Sequence, residues 1–335
     1  MHCWSAAERS VAGKLLSRVL TGAVVAGVGE AVMSRLGWLM ASLWLLGGAG
    51  AVRGDEKPGE QVPVSEAPPE FSVRLREDVV YGRVGERELL LDIFTPEVEG
   101  PVPAVIVIHG GAWRSGNRKQ LRGYADSLAK RGMACFAIDY RLAPEHKFPA
   151  QIDDCRMAVR WVRRHAAEYQ VDAARLGAIG YSAGGHLAAL LGTTGKAADE
   201  DPEKLDTRLQ AIVAGGAPTE FRLMADGGKW AEYWMGGDQK TVPEKFEAAS
   251  PTAFVDAKDP PFFFFNGTDD KLVPLIWSMT CHTALRGAGV RSEVYRVEGA
   301  GHLQAAMNRE AIQRSVAFFA TELRAPGEEK KSGQR

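Results

Sequence analysis

The stretch Gly180-Tyr181-Ser182-Ala183-Gly184 constrains this chain more than any other, because of what stands on either side of it. Arg175 to Ile179 is a short apolar run of strand length. Gly185 to Leu191 is rich in alanine and leucine and reads as the opening turns of a helix. A strand that passes into a helix through Gly-x-Ser-x-Gly needs a very sharp turn. Glycines two residues either side of the serine remove the Cβ atoms that would clash there, so the hydroxyl stands exposed at the tip. The serine also lies at a helix N-terminus, where outward-pointing N–H groups favour developing negative charge. A chain of this length and glycine content carries about 0.2 such pentapeptides by chance. The motif therefore needs a base, an acid and an oxyanion site elsewhere in the chain.

The rest of the chain alternates between apolar runs and helical patterns. Phe71–Tyr81 and Glu88–Phe94 read as an antiparallel opening pair with a turn at Gly82–Gly85. Ala104–Ile108, Ala134–Ile138, 175–179, 210–215 and 261–265 are continuous apolar runs, the pattern of strands buried on both faces. Ser292–Val297 is a last, more polar strand. Helices are expected at 121–131, 151–169, 185–192, 274–287 and 303–323. This spacing predicts an α/β fold with a mostly parallel central sheet and helices on both faces. Residues 217–258, with Trp230, Tyr233 and Trp234 and no clean strand, read either as a small lid or as a surface excursion packing its own aromatics.

The first fifty-odd residues differ from everything after them. Leu36 to Val52 carries no charge, follows Arg35 and ends in small residues, which describes a secretory signal within 1–54. The run is also near the lower limit for a membrane anchor. Met33 would give a conventional n-region, so the written start can lie upstream of the real one. The expectation is a secreted or periplasmic protein, membrane-bound only if the segment stays uncleaved. Residues 55–70, rich in Pro and Glu, read as a linker, 71–323 as the folded domain and 324–335 as a polar tail. Cys135, Cys155 and Cys281 remain after the leader and read as buried thiols. A formal net charge of -1 with no basic stripe argues against a nucleic-acid partner.

In open α/β sheets the working groups gather at the carboxyl ends of the strands. Reading those ends in order gives His109-Gly-Gly-Ala-Trp113, Asp139–Glu145, Ser182, Asn266–Pro274 with Asp269 and Asp270, and Glu298–His302. The order Ser, Asp, His is the one expected when a strand-tip serine is activated by a distant histidine held by a carboxylate. His302 suits the base. Two adjacent glycines after His109 let the backbone come close, so the N–H groups of Gly111 and Ala112 can join that of Ala183 around an oxyanion.

At these residues the chain resembles the esterase and lipase branch of the α/β-hydrolase fold. His109–Trp113, Tyr140–Asp154 and Gly180–Ala188 together look like hormone-sensitive-lipase-like esterases. They look still more like bacterial acetyl and feruloyl esterases that act on plant polysaccharides. The resemblance spans about residues 75–323. It implies a Ser182, Asp270, His302 triad, since the acid's position in that family maps onto Asp270 rather than Asp269. It also implies a small-molecule or polysaccharide-linked ester substrate and no cofactor. Two departures are Asn266 where the family usually has His, and Ala112 where lipases often have a third glycine.

The other site residues take plainer roles. His186 reads as a packing or hydrogen-bonding group, and Asp139, Arg141, Glu145 and Asp154 as ion pairs that brace the loops. The remaining histidines lack metal-ligand spacing, so no metal is expected. An arylformamidase, a serine peptidase of the same fold and a non-catalytic binding protein are the alternative readings.

Overall fold

The structure, a computed structural model, describes residues 70–197, 204–223 and 228–325, without the side chains of 228–231. The leader at 1–54, nearly all of the linker and most of the polar tail lie outside the described residues. Eight strands form one sheet: β1 (Val73–Val84), β2 (Arg87–Pro96), β3 (Val102–Ile108), β4 (Ala134–Ile138), β5 (Val171–Tyr181), β6 (Ala211–Gly215), β7 (Phe262–Gly267) and β8 (Ser292–Val297). Their spatial order is β1-β2-β4-β3-β5-β6-β7-β8. β2 runs antiparallel to both its neighbours, and every other pairing is parallel.

The apolar runs become strands because both of their faces are covered. Residues alternate between two cores: Ile106, Ile108, Phe262 and Phe264 belong to one, and Val105, Val107, Phe263 and Phe265 to the other. Two of the helices between them are α1 (Arg122–Ala129) and α2 (Ala150–Arg164). Four more are α3 (Ala183–Thr193), α4 (Gly228–Met235), α5 (Pro243–Ala248) and α6 (Ile276–Gly287), and the last two are α7 (His302–Ala306) and α8 (Arg309–Glu322). α2 and α3 cover the first core, while α1 and α8 cover the second. Cys135, Cys155 and Cys281 are buried free thiols.

Two helix expectations shift. The single helix at 303–323 is two, because the Asn308 side chain accepts from Ala311 N–H and caps a new helix there. The helix starting at 151 ends at Arg164 rather than Tyr169. The excursion at 217–258 holds α4, α5 and a 3-10 turn at Pro251–Ala253, with Pro243 opening α5. Among the described residues no helix is long and apolar enough to cross a membrane.

β3 is flanked by β4 on one side and β5 on the other, so the chain leaves it in one direction and returns in the other. That reversal opens a crevice where the loops after β3 and β5 diverge. The register aligns Ile108 with Gly180, Tyr181 with Gly215 and Gly215 with Phe265, which brings the loops after β3, β5, β6 and β7 to one edge.

Candidate active site

Ser182 stands between β5 and α3 with φ 58° and ψ -123°, a left-handed conformation that costs a non-glycine residue about 1–3 kcal/mol. Its N–H donates to the Gly215 carbonyl (2.8 Å), and its own carbonyl accepts from His186 N–H (2.9 Å). A Cβ on Gly180 would lie 2.2 Å from the Gly184 carbonyl oxygen, and one on Gly184 would lie 2.0 Å from the Ile108 oxygen. The first glycine closes the turn and the second seats α3 against the end of β3. The Ala183 N–H, in the first turn of α3, has no acceptor within its helix.

The loop after β3 is turned by three consecutive residues with positive φ: Gly111 (108°), Ala112 (50°) and Trp113 (59°). A Cβ on Gly110 would lie 2.9 Å from the Tyr181 oxygen and 3.4 Å from Ser182 Cβ, so this loop runs against the serine. The Tyr233 hydroxyl, from α4, donates to the Ala112 carbonyl (2.8 Å). Trp113 is buried and stacks on Trp234 at 3.8 Å between ring centroids.

His302 Nδ1 lies 2.6 Å from Asp270 Oδ2, and the other oxygen of Asp270 accepts from Leu272 N–H (2.9 Å) and Val273 N–H (2.8 Å). The buried carboxylate is Asp270, whereas Asp269 is exposed. The Tyr181 hydroxyl donates to the His302 carbonyl (2.5 Å). The His302 ring reaches to 3.2 Å from where a Cβ on Gly216 would stand, next to the Gly215 carbonyl that holds Ser182. Serine and imidazole are thus brought to the same end of β6. A cavity of about 490 Å³ opens there, lined by Ala112, Trp113, Ser182, Ala183, Pro218 and Val273 among others.

Sequence reasoning missed several supports. Asn266 is fully buried, accepting from the Ser278 hydroxyl (3.0 Å) and donating to the Val273 carbonyl (3.1 Å), so it braces the loop whose amides hold Asp270. Arg118 donates to Asp92 (2.8 Å) and Asp139 (2.6 Å), tying the end of the 109–118 loop to β2 and to the end of β4. Burial pushes the Asp92 carboxyl up, but hydrogen bonds from Arg122 and Arg118 outweigh it and hold the group below the usual range. Arg141 pairs with Asp154 (2.7 Å), as its sequence position suggested. Glu145 does not brace a site loop. It is exposed, and its nearest ionisable neighbours are His146 (3.5 Å) and Arg87 (3.9 Å). Among the described residues no group of three or more His, Cys, Asp or Glu side chains is placed to hold a metal.

His186 links the loop to the excursion above it. It accepts from Trp113 Nε1–H (3.1 Å) at Nδ1 and donates to the Ala249 carbonyl (2.7 Å) from Nε2, which fixes its tautomer. Burial pushes its imidazole down to about 4, against a smaller upward pull from the Ala249 hydrogen bond. His109 is pushed down to about 4 by burial as well. Below about pH 6.5 the unfolded chain protonates at these positions and the folded chain does not, so stability falls as pH drops from about 6.5 to about 4, by up to about 3 kcal/mol per histidine. Asp259, pushed up to about 7 by burial, acts in the opposite sense. Comparison with His186→Gln isolates one contribution: urea unfolding from pH 6.5 to 4.5 is expected to show a shallower loss in the variant, and equal slopes would refute the assignment.

Residues 91–285 match the BD-FAE family. Esterase LipC of Mycobacterium tuberculosis is 34% identical over 242 residues, covering 68% of this chain and 59% of LipC. Esterase LipQ of the same organism is 32% identical over 260 residues, covering 72% of this chain and 61% of LipQ. The chain therefore spans less than two thirds of the length of these curated relatives. Among solved structures, a truncated form of a carbohydrate esterase from gut microbiota matches with a TM-score of 0.69 at 28% identity, over 77% of this chain and 98% of the other. Esterase Est2 of Thermogutta terrifontis matches with a TM-score of 0.64 at 28% identity, over 78% and 96%.

Proposed function

The chain belongs to the BD-FAE family and has the α/β-hydrolase fold, and from that premise we propose that it hydrolyses carboxylic esters through Ser182, His302 and Asp270. The observation that carries the reading is the 2.6 Å contact between a buried carboxylate and an imidazole at the strand end where Ser182 stands. With Nδ1–H given to Asp270, the Nε2 lone pair of His302 is free to take the serine proton. Ser182 Oγ then bonds to the ester carbonyl carbon, and the carbonyl oxygen gains the negative charge. The N–H groups of Gly111, Ala112 and Ala183 receive that charge, each donor being worth about 3 kcal/mol of barrier. Collapse breaks the ester C–O bond, and the alcohol leaves with the proton from His302. Water, deprotonated by the same imidazole, hydrolyses the acyl-serine and restores both groups.

Similarity to a carbohydrate esterase supports a finer reading, the removal of acetyl or feruloyl groups from polysaccharides. Export past the cytoplasmic membrane belongs to the same proposal, on the strength of the charge-free run at 36–52. Cell fractionation tests that part. A fluorophosphonate probe is expected to label Ser182. Rates on acetylated xylan, methyl ferulate, p-nitrophenyl acetate and N-formylkynurenine are expected to favour the esters over the formamide. An unlabelled serine, or a rate confined to the formamide, would overturn the reading.

A further inference from the structure

We infer that the cavity beside Ser182 selects esters that carry a carboxylate elsewhere on the same molecule, and that Arg114 is the residue that recognises it. The inference rests on the esterase reading above and names the substrate class for it.

Arg114 is the only charged side chain among the described residues lining the cavity. The rest of the lining is dominated by groups such as Pro218, Leu272, Val273 and Trp113. Its guanidinium lies over the Tyr233 ring, 5.3 Å from the centroid. That ring is itself fixed, because its hydroxyl donates to the Ala112 carbonyl. The Arg114 backbone is fixed too, by an N–H donated to the Gly111 carbonyl (3.1 Å) after two residues of positive φ. The cation is therefore held at both ends, next to the peptides offered for the oxyanion.

What Arg114 lacks among the described residues is a partner carboxylate. Three other arginines around the site each have one: Arg118 with Asp92, Arg141 with Asp154 and Arg222 with Glu220. Among the described residues no carboxylate lies within 4.0 Å of Arg114, and its guanidinium donates no hydrogen bond. Stacking on an aromatic face occupies the flat side of a guanidinium and leaves its donor edge open. That edge matches a carboxylate in a two-pronged geometry. A lone cation at the wall of an apolar cavity also concentrates field lines and attracts anions during encounter. A neutral acetyl ester uses none of this, whereas an ester on a uronate-bearing sugar or an aryl acid would.

The test compares isosteric pairs on the full chain. One pair, para-carboxyphenyl acetate and para-carbamoylphenyl acetate, places the charge on the alcohol side. Methyl para-carboxycinnamate and methyl para-carbamoylcinnamate place it on the acyl side. Arg114→Gln is expected to lower the carboxylate-to-carbamoyl ratio of kcat/KM at least about 10-fold in one pair, the size of a lost charged hydrogen bond. Arg114→Lys is expected to recover part of the ratio, and about 0.5 M salt to shrink it in the unaltered protein. A ratio that stays the same in both pairs, with or without a lower melting temperature, would reduce Arg114 to a packing partner of Tyr233 and overturn the inference. The two readings fail differently. No turnover of any ester by the unaltered folded protein sinks the esterase reading, whereas intact turnover with an unmoved ratio sinks only this one.

Discussion

Ser182→Ala is expected to lower kcat for p-nitrophenyl acetate by at least about ten-thousand-fold while leaving the melting temperature within about 1 °C. The loss is large because the serine is the only atom of the proposed machinery that bonds to substrate carbon, and no neighbour can replace it. The melting temperature is expected to hold because alanine bears the same cost at φ 58° as serine does. The backbone bonds of residue 182 to Gly215 and His186 do not involve the hydroxyl. Turnover close to that of the unaltered protein would mean that hydrolysis happens elsewhere. A residual rate from the oxyanion site alone remains compatible with the proposal, provided that it shows no acyl-enzyme burst.

Gly184→Ala is expected to do the reverse, harming the fold first. The added Cβ would stand 2.0 Å from the Ile108 oxygen and 2.5 Å from the His109 oxygen, both backbone atoms at the end of β3 that cannot swing aside. Relief requires α3 to move away from β3, at a cost of about 2–3 kcal/mol, or roughly 5–10 °C in melting temperature. The same movement carries Ser182 away from the 109–113 loop, so activity is expected to fall further than the folded fraction does. Thermal unfolding and active-site titration on one sample check both parts. Native-like stability in the variant would show that the helix seat is looser than these contacts imply.

Much of this arrangement could be read from the sequence for a physical reason. Strands such as Phe262–Phe265 are apolar on both faces because both faces are covered, and that leaves an unbroken run in the chain. The glycines at 110, 111, 180 and 184 mark approaches of about 2–3 Å that no other residue allows, and the motifs were legible for that reason. The break before α8 was also within reach, since Asn308 carries the cap in its own side chain. Asp269 and Asp270 could be told apart only by family resemblance, because burial depends on how the loop after β7 is braced, and Asn266 does that from inside the sheet. Arg118 gave no local signal, since its partners Asp78, Asp92 and Asp139 come from β1, β2 and the end of β4. The Trp113–Trp234 stack was hidden in the same way, by a long separation along the chain.

The strand order has a further consequence for the protein while it is being made. β3, β5 and the turn bearing Ser182 precede β7 and β8 in the chain, while Asp270 follows β7 and His302 follows β8. During synthesis the alcohol of Ser182 and its surrounding amides leave the ribosome well before the imidazole proposed to activate that alcohol. On the proposed mechanism a half-made chain carries an unarmed hydroxyl, and hydrolysis would begin only when the far edge of the sheet has closed.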